Sequence, residues 1–120
     1  MNAREDENYV VEIEDIGRDG LVMAGLWTEV CITYPALSAI EDGYEIYVVT
    51  DASGGVSEAA HDGAVQRMTA AGATPVTWLQ VLYELQRDWA DDGAGETIRI
   101  TKQHGGGYAT AVDYSDFLRE

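Results

Sequence analysis

Residues 21–31 read Leu21-Val22-Met23-Ala24-Gly25-Leu26-Trp27-Thr28-Glu29-Val30-Cys31, and their period changes part-way along. Leu21 to Leu26 is an unbroken apolar run of strand length, the form expected of a parallel strand buried on both faces. From Thr28 to Asp42 the apolar positions Val30, Cys31, Tyr34, Leu37, Ala39 and Ile40 fall at helical spacing, and Gly43 supplies the stop. Upstream, Glu7 to Ile16 (ENYVVEIEDI) predicts a short amphipathic helix ended by Gly17. Downstream, Tyr44 to Thr50 (YEIYVVT) is rich in β-branched and aromatic residues and predicts a second strand. Ser57 is placed to cap a helix over Glu58 to Ala71, which Gly72 ends. Thr74 to Thr77 reads as a short strand, and Trp78 to Ala90 as a helix with Leu79, Leu82, Tyr83, Leu85 and Trp89 inward. Asp91 to Glu120, glycine-rich at 105 to 107, shows no clear period. Strand and helix in alternation, with short connections, predict parallel βαβ units in one α/β domain.

A chain of 120 residues is near the commonest domain size, and 46% hydrophobic residues argue against disorder. No apolar run approaches a membrane span, and the polar start MNAREDENYV is not a signal peptide. Twenty-two acids against seven bases give a formal charge of -15, and Lys102 is the single lysine. Such a surface repels phosphates, so nucleic acid and anionic membrane are disfavoured as partners. The acids are scattered, whereas an acidic interaction tail forms a block. Dispersed acid with almost no lysine predicts a cytoplasmic protein of a high-salt organism, where screening tolerates the self-repulsion.

Cys31 is the only cysteine, which excludes an internal disulfide and a multi-cysteine metal site. It lies in the first turn of the helix behind the Leu21–Leu26 strand, at the carboxyl end where parallel sheets bind ligands. A thiol there meets the positive end of the helix dipole, which favours the nucleophilic thiolate, and the amides of that turn are placed to hold an oxyanion. By spacing alone, a lone cysteine reads first as a small buried hydrophobe. A tight junction at this point predicts that Cys31→Ala is tolerated and Cys31→Leu overpacks. Elsewhere, Glu58-x-x-His61-Asp62 offers metal-ligand types, but nothing completes a set and the stretch reads as a solvated helix face. His104 before Gly105, Gly106 and Gly107 lacks the lysine and spacing of a phosphate loop. Trp78 and Trp89 read as core or interface anchors, and Asp51 as a capping residue.

The stretch LVMAGLWTEVCITYPALSAIEDGYEIYVVTDASGG, with AHDGAVQRMTAAGATPVTW, ELQRDW and HGGGYATAVDY after it, resembles the isochorismatase-like cysteine hydrolases, in particular their YcaC-like branch. The decisive motif is G-x-x-T-E-V-C over Gly25 to Cys31. The resemblance implies a three-layer α-β-α, Rossmann-like parallel sheet, with only the later strands of that fold represented. It implies that Cys31 is the catalytic nucleophile and that hydrolysis of an amide-type C–N bond proceeds through a thioester-type intermediate. A cis peptide before the motif's threonine is expected between Trp27 and Thr28, with Thr28 aiming amides into the oxyanion hole. A small-molecule substrate and a homo-oligomer follow from the same resemblance, with no cofactor and no metal. The family's site also uses an aspartate and a lysine or arginine upstream of an N-A-W segment. Here Asn2 and Ala3 match that segment and Arg4 stands where tryptophan is usual, so the aspartate, the lysine and the first three strands have no counterparts. Arg4, Asp6 and Asp15 do not sit in the matching motifs. The alternative implied by these departures is a catalytically silent oligomeric module that keeps the fold alone.

Overall fold

A computed structural model describes residues 1–119, which form two units, Met1–Trp78 and the residues from Leu79 on. In the first unit, α1 (Glu7–Ile16) begins where Asp6 Oδ1 accepts from the Asn8 amide at 2.9 Å. It ends at Gly17, whose φ of 72° is the left-handed conformation that glycine adopts without a Cβ clash. β1 (Gly20–Leu26) follows, and a helical turn over Thr28–Ile32 leads into α2 (Thr33–Glu41). β2 (Glu45–Gly54), α3 (Glu58–Ala71) and β3 (Thr74–Val76) complete the unit. Ser57 Oγ accepts from the Ala60 amide and caps α3, and Gly72 at φ 118° terminates it, both as the sequence predicts.

The strands form a parallel sheet in the order β1-β2-β3, flanked by helices, which makes the fold α/β. The core lies on one face, where Leu21 and Met23 of β1 and Ile46 and Val48 of β2 meet Ile32, Ala36 and Ala39 below α2 and Ala64 and Met68 of α3. Small residues on α2 let the helix approach the sheet closely. β2 is central and carries its apolar run buried. β1 departs from the expectation of a strand buried on both faces, since Val22 and Leu26 are 59% and 61% exposed. Among the described residues β1 pairs with β2 alone, so its other edge and the face holding Val22 and Leu26 meet solvent.

Pairing of β1 with β2 runs regularly from Gly20↔Glu45 to Met23↔Val48, then jumps to Gly25↔Ser53 and Leu26↔Gly54. The extra residues of β2 form a bulge at the carboxyl end of the sheet, where such irregularities re-aim side chains. Ser53 ties the bulge closed, its Oγ donating to the Val49 carbonyl at 2.8 Å and accepting from the Gly25 amide at 3.3 Å. Asp51, inside the bulge, accepts from the Trp78 amide at 2.9 Å, the capping role expected of it. Arg4 is buried, with its guanidinium 5.1 Å from the Tyr44 ring centroid and Nη2 2.5 Å from Asp42 Oδ2, while Asn2 Nδ2 donates to Ser38 Oγ at 2.8 Å. The residue that departs from the family's tryptophan thus pins the first turn of the chain to α2.

In the second unit, α4 (Trp78–Gln86) is shorter than the sequence predicts. Arg87 turns left-handed at φ 62°, Gln86 Nε2 donates to the Asp88 carbonyl, and Asp88 Oδ1 accepts from the Ala90 amide. These local bonds compete with helix continuation. Trp89 therefore leaves the helix, is half exposed, and packs edge-on against Tyr83 with centroids 5.3 Å apart. α5 (Ala94–His104) and α6 (Gly107–Arg119) follow, joined at Gly105, where a Cβ would lie 2.6 Å from the Thr101 carbonyl oxygen. Lys102 bridges to Asp113 and Asp116, and the Asp116 carboxylate, followed by Asp113, holds the Lys102 ammonium pKa above its ordinary value. No helix of the described residues is long and apolar enough to cross a membrane.

Candidate active site

The carboxyl end of β1 turns sharply into helix, and the turn Thr28–Ile32 is fixed from several sides. The cis peptide is at Leu26–Trp27, one bond before the expected Trp27–Thr28. Helix geometry accounts for the difference. The Trp27 carbonyl already accepts from the amides of Val30 at 3.1 Å and Ile32 at 3.2 Å, so the Trp27–Thr28 peptide belongs to the helical turn and the reversal falls before it. Trp27 itself is extended, at φ -101° and ψ 141°, and half exposed.

Thr28 is fully buried. Its carbonyl accepts from Thr33 Oγ1 at 2.6 Å, and its hydroxyl is hydrogen-bonded to His61 Nδ1 at 2.8 Å. Glu29 reaches the other way, where Oε1 accepts from the Val56 amide at 3.0 Å. Its Oε2 is buried without a partner among the described residues. A shallow hollow of about 260 Å³ beside the turn is lined by Glu29, Thr33, Ala60, Gly63 and Arg67, among others.

Cys31 rides on the outer side of this turn and is exposed. The expectation of a tight junction is corrected, because the thiol has open space and Cys31→Leu meets no packed wall in this chain. Among the described residues its sulfur is a free thiol in no disulfide. What the arrangement offers is an accessible sulfur in the opening turn of helical backbone, the end at which the helix dipole is positive.

His61 is the residue that sequence reasoning missed. The stretch Glu58-x-x-His61-Asp62 was expected on a solvated face, yet His61 is half-buried and bonded across 33 residues to Thr28. Only the helical register of α3 carried a hint, since it puts His61 on the same side as Ala64 and Met68.

The isochorismatase domain family matches residues 1–80, a span that holds β1, the cysteine turn and α3. The chain belongs to the isochorismatase family. Among its relatives, the probable hydrolase YcaC of Escherichia coli (strain K12) is 45% identical over 95 residues, which is 79% of this chain and 46% of the relative. The crystal structure of the Escherichia coli YcaC gene product, an octameric hydrolase of unknown specificity, matches with a TM-score of 0.85 at 42% identity, covering 98% of this chain and 57% of that one. YcaC from Pseudomonas aeruginosa, solved with hexane-2,5-diol and covalent acrylamide, matches with a TM-score of 0.85 at 40% identity, covering 96% and 56%. The chain spans about half the length of the curated relatives it matches. Within this isochorismatase-family chain, the structure brings Thr28, Thr33 and His61 together around the cysteine turn. It leaves Asp6 engaged in capping and Arg4 in the Asp42 pair.

Proposed function

We propose that Cys31 is the nucleophile of a hydrolase acting on a small amide-type substrate. The observation that carries this reading is an exposed cysteine in the helical turn that ends a parallel strand, inside the segment that matches the family. In the proposed reaction the Cys31 thiolate attacks the carbonyl carbon and the first-turn amides stabilise the oxyanion. The C–N bond breaks, the amine leaves with a proton, and water hydrolyses the thioester to a carboxylate and the free thiol. The aspartate and basic residue that the family resemblance assigns to proton transfer match no motif of this chain, so in this reading another polypeptide segment supplies them. The covalent acrylamide of the Pseudomonas aeruginosa protein supports a reactive nucleophile in that relative, since acrylamide is captured by addition to its alkene carbon. We further propose that the chain, a single isochorismatase-like domain by its resemblance, assembles with itself, as the octameric Escherichia coli relative does. The scattered carboxylates and single lysine support a cytoplasmic setting at high salt.

A second reading follows from the family's aspartate and lysine matching no motif of this chain: a silent module that retains the fold and its oligomer contacts. Ammonia release from primary aliphatic amides separates the two. The hydrolase reading expects turnover that falls at least about 1,000-fold in Cys31→Ala. Equal rates in the two proteins leave the silent module.

A further inference from the structure

We propose that His61 is a positioning residue for the turn that carries Cys31, gripping it through the Thr28 hydroxyl; the functional half of this proposal rests on Cys31 being the nucleophile. A threonine with no exposed surface must place its hydroxyl on a partner, since an unsatisfied buried polar group is costly. The partner that α3 supplies is His61 Nδ1 at 2.8 Å. With the Thr28 carbonyl held by Thr33 Oγ1, the first residue of the turn is fixed at both its side chain and its backbone.

The surrounding contacts leave little slack. Glu29 Oε1 holds the Val56 amide just before α3. A Cβ on Gly55 would stand 2.8 Å from Glu29 Oε2 and 2.9 Å from the His61 backbone nitrogen, so the loop, the turn and the start of α3 close directly on one another. The side chains of Thr28 and Thr33 point into this closure while Cys31 faces solvent. His61 thus grips the inner side of the turn, which sets the direction of the amides on its outer side. Amide direction is what an oxyanion-binding turn depends on.

The test uses the full chain with His61→Ala, His61→Asn, Thr28→Val and the His61→Ala/Thr28→Val double variant. Hydrogen exchange reads the amides of residues 28–32, with β2 amides as the check that the fold persists. His61→Ala and Thr28→Val each speed exchange in the turn by about tenfold, the double variant is no faster, and His61→Asn, whose amide overlays the Nδ1 side of the ring, restores protection. The ratio of Cys31 labelling by acrylamide to labelling by methyl methanethiosulfonate, which has no carbonyl, falls and recovers in the same variants. Unchanged exchange in His61→Ala, additive effects in the double variant, or asparagine no better than alanine overturns the proposal. Should His61→Ala fail to fold, Thr28→Val and His61→Asn decide it. A wild-type labelling ratio equal to that of free cysteine removes the nucleophile reading instead, and exchange still judges the grip.

Discussion

Raising KCl from about 0.01 M to about 1 M lifts the melting temperature of this chain by about 10 °C, as the Debye length contracts from about 30 Å to about 3 Å. The sign follows from the charge count of 22 acids to 7 bases. Among the described residues Arg4, Arg99, Lys102 and Arg119 pair with carboxylates, and Arg67 lies 5.7 Å from the Tyr34 ring centroid. Pairs such as Arg99–Glu96 and Lys102–Asp116 are exposed and contribute little, so salt removes little by screening them. The repulsion among the unpaired carboxylates is the larger quantity, and screening relieves it. Thermal unfolding followed by circular dichroism reads the effect; a flat or falling melting temperature would contradict the high-salt reading.

Light scattering in about 1 M KCl gives at least twice the chain mass of 13.1 kDa. The argument starts from β1, whose residues Gly20–Leu26 carry no charge and whose outer edge has no strand beside it among the described residues. Unpaired strand amides and carbonyls are a template for another chain, and neither proline nor lysine blunts them here. Val22, Leu26 and Trp27 add exposed apolar surface at the same place. Two copies at -15 each repel strongly at low salt, so association strengthens as salt is added. A stable 13.1 kDa species in molar salt would refute self-assembly. A variant with Val22→Lys isolates the edge, and the assembled mass falls if β1 is the contact.

Local signals carried most of the fold. Gly17 and Gly72 ended their helices and Ser57 capped α3 because capping is settled within a few residues of sequence. The second unit was less legible. The inward residues of α5 include Thr97 and Thr101, whose hydroxyls bond to Gln86 Oε1 and to the Thr97 carbonyl, so burial there has no hydrophobic signature. The end of α4 turned on the side chains of Gln86 and Asp88, which override a helical pattern that Trp89 continues when read as hydrophobicity alone. At the candidate site the cis bond expected at Trp27–Thr28 falls one residue earlier, since only the hydrogen bonds of the Trp27 carbonyl show where the helix begins. The Thr28–His61 bond spans 33 residues, and no local pattern announces a contact of that range.

The central claim is that Cys31 forms the covalent intermediate. The most direct measurement is intact and peptide mass spectrometry after acid quenching of the chain with a small primary amide or its activated ester. The account predicts one acyl group on the peptide containing Cys31, removed by hydroxylamine as a thioester is, and absent from Cys31→Ala. An acyl group on another residue, or labelling that persists in Cys31→Ala, would contradict it.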